Sequence, residues 1–490
     1  MKIRIAVLAD AHFDRQGISG IPQRRAEIAD ILLLRAVHRL NRLIKPDVTV
    51  ILGDLADRGG AADAPEHFKR LREITDILES PSIVIPGNHD GEPEAFYRFF
   101  ERPAPFVEVN GFRFAHFLDR EEPNWNARRS AGDIERMGEA RSGFDGPVVT
   151  LQHCPLFPPG TSDCPYNYVN AEEVIAAMGR RGIGLSLSGH YHGGMEAHQG
   201  AAHFIAAPGL CEAPFAFLVV EYDGKEARVI RHELRMPEKL ALVDTHVHTQ
   251  FAYCAENMTM SAAVGLGRDF GLAGVAFSEH SGQLYFNNDD YWSARCLAGG
   301  IESAADADSR MERYLAAARA ANCPADSLGL EADCDFRGRP LVRDADRGKV
   351  RFLVGSVHAL SELMKEPFDM ARVREEFLSI HERFLASGIR VLAHPFRIFR
   401  RSEIETPPEL YGPLARMLAE TRVAAEINFH THEPSVEFLR MCLDAGVKIT
   451  FGSDAHNLYE VGEFALHLDL VERAGFHGDL KDILIDPRKE

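Results

Sequence analysis

The chain lacks the marks of several large protein classes. Its eight cysteines stand singly with no CxxC pair, which argues against a disulfide framework or a zinc knuckle and points to a reducing compartment. No uncharged apolar run approaches the ~18 residues that a membrane span needs. The opening "MKIRIAVLAD" reaches Asp10 before the apolar core of a signal peptide could form. A cytoplasmic protein without membrane attachment is the expectation. Basic clusters are missing as well: the formal net charge is −18 and no window of Lys and Arg could track a phosphate backbone, so tight binding to long nucleic acid is disfavoured.

What the chain has is histidine in short motifs, which hold half of its 22 histidines. Up to residue 236, β-branched runs end in polar residues: "IRIAVLAD", "DVTVILGD", "SIVIPGNHD", "PVVTLQHCP" and "GLSLSGHYH". An amphipathic helix is expected around residues 24–44, and "FAFLVVEYDGKEARVIRHEL" reads as a hairpin turning at Asp223-Gly224. The polar connector "RMPEKL" then divides the chain into expected domains at 1–236 and 240–490. Beyond it, seven strand candidates, "LALVDTHVH", "GVAFSEHS", "LGLEADC", "RFLVGSVHA", "RVLAHPF", "VAAEINFHT" and "KITFGSDAH", each precede helix-compatible sequence. Such alternation predicts parallel strands and a barrel, with the polar residues on the face of the strand C-termini.

The first half offers, in order, Asp10 and His12, Asp54, Asn88 and His89, His153, and His190 and His192. This set resembles the calcineurin-like metallophosphoesterase superfamily, in particular its cyclic-nucleotide and glycerophosphodiester phosphodiesterase branch. The resemblance implies an α/β/β/α sandwich holding two divalent ions, Mn, Fe or Zn. Asp54 would bridge them, with Asp10, His12 and His192 on one and Asn88, His153 and His190 on the other. Two ions ~3.5–4 Å apart suit in-line hydrolysis of a phosphate ester, since both neutralise charge on its oxygens. A bridging hydroxide would attack phosphorus, and His89 would protonate the leaving oxygen, its ring oriented by Asp90. Asp57 is expected to cap a turn or helix.

The second half offers His246 and His248, Glu279-His280, Glu331, His358, His394, and Asp454 with His456. This set resembles the PHP (polymerase and histidinol phosphatase) superfamily, whose members hold two or three ions at the mouth of a distorted (β/α)7 barrel. The resemblance implies one ion on His246, His248 and Asp454, with Glu331 bridging to a second on His358 and His394. His280 and His456 would belong to a third site. There the chain departs from the pattern, because Cys254 stands where many relatives have His or Asp, and a thiolate favours zinc or iron over magnesium. Glu279 reads as orienting a neighbour, Asn428, His430 and His432 as possible pocket lining, and Arg397 as a fork for substrate phosphate. His38 and His381 read as structural or surface residues.

Together these signals predict a bifunctional metal-dependent enzyme acting on small-molecule phosphate esters, a phosphodiester in the first domain and a phosphomonoester in the second. A nuclease acting on short oligonucleotides, or one active domain joined to a metal-stabilised binding module, are the alternatives.

Overall fold

The computed structural model describes residues 1–18, 20–305 and 310–489. The chain divides into two compact units, Met1–Arg235 and Met236–Glu490.

The first unit is built on two sheets. One orders its strands Ala227–Glu233, Ala216–Tyr222, Ile3–Leu8, Val48–Leu52 and Ser82–Ile85, the last three mutually parallel. The other runs Met195–Gln199, Ala202–Ala206, Leu185–Ser188, Val148–Leu151, Phe112–His116 and Phe106–Val109. Val48–Leu52 is apolar or β-branched throughout and buried along its whole length, as a strand covered on both faces must be. Side chains of alternate strand positions, among them Ile5, Val7, Val50 and Leu52 from the first sheet and Phe114, Val149, Leu151 and Leu187 from the second, make one core. Helices Ala131–Glu139 and Ala171–Arg181 bury Ile134, Met137, Val174 and Met178 on the outer face of the second sheet. Helices Ala29–Arg39 and Ala64–Thr75 pack against each other and complete the α/β/β/α sandwich. The hairpin turns where expected: Asp223 Oδ1 accepts the N–H groups of Lys225 and Glu226, and Gly224 takes φ 96°.

An ion pair is buried in this unit. The Arg129 side chain is fully buried, and its Nε and Nη2 donate to the two oxygens of Asp119 at 3.1 and 2.8 Å. Tyr168 donates to the same carboxylate. Asp119→Ala would strand the guanidinium, so we expect a loss of about 3–5 kcal/mol, read as a lower urea midpoint of the first unit's transition.

In the second unit seven strands, Val243–Val247, Gly274–His280, Leu328–Asp333, Phe352–Ser356, Val391–Leu392, Ala424–Ile427 and Ile449–Phe451, follow one another in a parallel sheet. The ring nearly closes: Thr245 donates to the Phe451 carbonyl, Asp454 N–H to the His246 carbonyl and His248 N–H to the Ala455 carbonyl. Each of the seven sequence motifs supplies one strand. Among the described residues no helix is long and apolar enough to cross a membrane, and all eight cysteines are free.

Candidate metal centres

In the first unit the candidate residues leave the C-terminal ends of five parallel strands and meet. Their backbones are locked together, with Asp10 N–H donating to the Gly53 carbonyl at 3.0 Å, His12 N–H to the Asp54 carbonyl at 2.8 Å and Gly189 N–H to the His153 carbonyl at 2.9 Å. Two glycines permit the crossing. A Cβ on Gly53 would lie 2.4 Å from Gly87 N, and one on Gly87 would lie 2.2 Å from Asp54 Oδ1. Four of the converging residues hold left-handed backbone, Asp10 at φ 56°, His12 at 49°, Asp54 at 53° and His190 at 65°. Such conformations cost about 1–3 kcal/mol each and cluster at functional sites.

Each of four histidines has an outer nitrogen pinned and an inner one aimed at the same space. His12 Nδ1 lies 3.1 Å from Asp57, His192 Nδ1 2.7 Å from Glu212, His153 Nδ1 donates to the Leu52 carbonyl and His190 Nε2 to the Trp125 carbonyl. The inner nitrogens then face Asp54 Oδ2, at 3.3 Å from His153 and 3.6 Å from His12, while Asn88 Oδ1 is 2.9 Å from His153 Nε2. His192 Nε2 lies 3.5 Å from Asp10 Oδ1, a buried oxygen with no hydrogen-bond partner. Fixing a ring through its far nitrogen is how proteins orient imidazoles toward a cation.

Two expectations are corrected here. Asp57 does not cap a turn: it receives Arg24 at 2.8 Å and His12, and its carbonyl accepts from His89 Nδ1 at 2.7 Å. Asp90 does not orient His89. It is buried beneath the loops, accepting the N–H groups of Leu55, Ala56 and Gly87, and burial together with the nearby Asp54 raises it to about 7.

In the second unit Glu331 is the focus. His358 Nε2 and His394 Nε2 lie 3.2 and 3.0 Å from its Oε1, and His246 Nε2 and His248 Nε2 each lie 3.6 Å from its Oε2. His280 Nδ1 is 2.5 Å from Oε2, yet neither atom finds an aligned hydrogen bond. Asp454 Oδ1 is 2.9 Å from His248 Nε2 and 3.6 Å from His246 Nε2. His456 stacks beside His248 with ring centroids 4.2 Å apart, and ligand atoms of His248, His280 and His456 fall within 4.8 Å of one another. Cys254 sits at the rim, its Sγ 3.7 Å from His280 Nε2, where burial pushes the thiol up to about 12. Here too the outer nitrogens are pinned: His246 by Glu426 at 2.9 Å, His248 by Glu279 at 3.2 Å and His358 by Asp333 at 2.7 Å. The second unit repeats the backbone strain at His394, φ 30°, and Asp454, φ 55°.

Arg397 is buried, and its Nη2 donates to Asp454 and to Asn428 Oδ1, while its Nε has no partner. Asn428 also donates to Glu426 and Asp454, His430 meets Glu460 at 3.0 Å, and His432 Nδ1 contacts the His430 carbonyl. His381 is buried on the Phe377 carbonyl and plays no part in the cluster. A cavity of about 590 Å³ at the other ends of the barrel strands, by Leu242 and Lys448, has none of these histidines in its lining.

Both donor sets fit divalent cations. Buried carboxylate and imidazole atoms without hydrogen-bond partners, Asp10 Oδ1 in one cluster and His246 Nε2, Glu331 Oε2 and His358 Nε2 in the other, converge rather than disperse. Unsatisfied polar groups of this kind call for a partner, and mixed oxygen and nitrogen donors suit Mn, Fe or Zn. Without ions the charges balance through protons. Burial would lower His153 and His192, but Asp54 raises the first to about 10 and Asp10 and Glu212 raise the second to about 9. Both are therefore protonated at pH 7, and a cation must displace those protons. Metal titration of the apoprotein should release protons, with affinity falling as pH falls below 9, which calorimetry in buffers of different ionisation enthalpy would measure.

Glu212, Asp333 and Glu426, which hold the outer nitrogens, were not singled out in the sequence. Asp333 could have been found, since it lies two residues beyond Glu331 on one strand and so on the same face.

Comparison with known proteins agrees with this geometry. Residues 3–194 match the calcineurin-like phosphoesterase family and residues 244–430 the PHP domain family. A probable cyclic nucleotide phosphodiesterase of Synechococcus sp. is 28% identical over 170 residues, covering 33% of this chain and 64% of that protein. A probable glycerophosphodiester phosphodiesterase GpdQ of Arcobacter nitrofigilis is 31% identical over 106 residues, covering 22% of this chain and 36% of that protein. The chain thus spans less than two thirds of the length of either relative. Among solved structures, a dimetal phosphatase from Danio rerio is 17% identical, covering 46% of this chain and 98% of that one with a TM-score of 0.38. The chain therefore carries a calcineurin-like phosphoesterase domain at residues 3–194 and a PHP domain at residues 244–430.

Proposed function

We propose that the chain is a bifunctional metal-dependent phosphoesterase, whose first domain opens a small-molecule phosphodiester and whose second removes phosphate from the monoester formed. The observation that carries this reading is the presence, in each separately folded unit, of a complete set of carboxylate and imidazole donors converging on one acid, Asp54 or Glu331. Asp10, His12 and His192 with Asp54 would hold one ion, and Asn88, His153 and His190 with Asp54 the other. In the second domain His246, His248, Asp454, Glu331, His358 and His394 would hold two, and His280, His456 and Cys254 a third. Divalent ions there supply Lewis-acid neutralisation of phosphate charge and acidify water enough to make it a nucleophile near neutral pH.

The chain's own residues do the rest. His89 is the acid for the leaving oxygen. Its Nδ1 is committed to the Asp57 carbonyl, so the proton it delivers comes from Nε2. Asp54 Oδ1 accepts the His89 N–H at 2.8 Å and thereby ties the acid to the bridging carboxylate. In the second domain Arg397, whose Nη2 is already beside Asp454 and whose Nε is unpaired, would turn its guanidinium to a phosphate oxygen. Fusion keeps the monoester close to the site that consumes it. The test is a time course of the Mn²⁺-loaded chain on a simple diester. Monoester should rise and then fall as inorganic phosphate appears, and a chain that releases no alcohol from the diester would refute the reading.

A further inference from the structure

Two clefts flank the first donor cluster and share three lining residues. The first, about 420 Å³, is lined by His89, Trp125, Tyr166 and Tyr191 together with Asp54 and Arg24. The second, about 460 Å³, runs past Glu92, Leu118, Asp119 and Glu121 to His153. Asn88, His190 and Trp125 line both, whereas His89 lines only the first.

Trp125 is held in place at a cost. It sits at the tip of a short hairpin, Arg120–Glu122 paired with Asn126–Arg128, and both Asn124 and Trp125 are left-handed, at φ 65° and 61°. A bulky residue takes such a backbone only under constraint. The constraint is visible, since the Trp125 carbonyl accepts His190 Nε2 at 3.1 Å. The result is a tryptophan 54% exposed beside the donor cluster. Tyr166 stands edge-on to His190 at 4.7 Å between ring centroids, and Tyr191 lies 6.5 Å from Tyr166. Trp125 borders both clefts and the buried Phe117 borders the second, but the two tyrosines line only the cleft that contains the acid, so the richer aromatic lining is on that side.

We propose that the first domain selects phosphodiesters with a planar aromatic arm and preferentially expels that arm, which stacks in the Trp125, Tyr166 and Tyr191 cleft, while the retained arm lies in the cleft past Glu92 and Glu121. The inference rests on the diesterase reading of this domain. The leaving oxygen must lie within reach of His89, so its substituent must occupy the cleft that His89 lines. Water's oxygen bonds to phosphorus, and the bond from phosphorus to the aromatic alcohol's oxygen breaks. That oxygen takes a proton from His89, which regains one from the attacking water, so diester and water become aromatic alcohol and the monoester of the other arm.

The probe is benzyl cyclohexylmethyl phosphate, whose arms are alike in size and close in leaving ability, given to the Mn²⁺-loaded full chain. At initial rate benzyl alcohol should exceed cyclohexylmethanol by roughly 3- to 10-fold, the preference that an aromatic contact provides. Trp125→Leu, and separately Tyr166→Leu, should bring the ratio toward one. That ratio is internal to each sample and does not depend on how much protein is active. Equal release, an excess of cyclohexylmethanol, or an unchanged ratio in both variants overturns the proposal while leaving the diesterase reading intact. Release of neither alcohol, from this probe or from bis(cyclohexylmethyl) phosphate, overturns both.

Discussion

Asp54→Ala should abolish diester hydrolysis, lowering turnover roughly 10³-fold or more, equivalent to about 4 kcal/mol in the barrier. The size of the effect follows from how much meets at this one side chain. Its Oδ2 faces His153 and His12, from the two halves of the donor set, and its Oδ1 holds the backbone of His89. Burial would raise its pKa, but the His153 imidazole keeps the carboxyl well below its usual range, so it is an anion available to two cations at once. No neighbour can replace it, because Asp10 Oδ2 is already bound to the His190 N–H. Metal content should fall in the first domain, while hydrolysis of an added monoester by the second should be unchanged. Circular dichroism and monoester turnover together would separate loss of the centre from loss of the fold.

Glu331→Ala should have the complementary result: the diester is consumed, phosphate is not released, and the monoester accumulates in close to stoichiometric amount. Five imidazoles, His246, His248, His280, His358 and His394, point at this carboxylate. Removing it leaves them facing one another with no shared anion, so the variant should lose both bridged ions, and monoester turnover should drop by about 10³-fold or more. Phosphorus NMR of the reaction mixture follows all three species at once. If phosphate still forms at the wild-type rate, the second domain does not carry the monoesterase step.

The parts of these sites that were legible in the sequence share one property: each lies where an apolar run stops. A buried strand cannot absorb Asp, His or Asn without a partner, so "LAD", "LGD" and "SGHYH" announce strand end and site together. What was not legible acts through the backbone or from outside the motifs. Asp57 and Asp90 were given each other's kind of role, because the carbonyl that holds His89 and the amides that hold Asp90 leave no trace in residue type. Glu212 lies in the loop between strands Ala202–Ala206 and Ala216–Tyr222, which has no periodic signal. Glu426 did leave one, a lone carboxylate inside the buried strand Ala424–Ile427, and its partner turned out to be His246. The hairpin that presents Trp125 was invisible, since its strands are three residues each and its Pro123-Asn124-Trp125 connection contains no glycine.

The seam of the barrel bears on how the second domain comes into being. Its ligand set begins on the first strand and ends beyond the last, with His248 and Asp454 separated by 206 residues. The backbone bonds that close the ring, from the Asp454 N–H to the His246 carbonyl and from the His248 N–H to the Ala455 carbonyl, tie the same two places together. On the ligand assignment proposed above, a nascent chain emerging from the ribosome would carry His246, His248, Glu331, His358 and His394 but lack Asp454 and His456 until residue 456 has been made. Capture of the full set of ions would then wait for ring closure, and a polypeptide cut short before that point would present only part of the donor set to free cations.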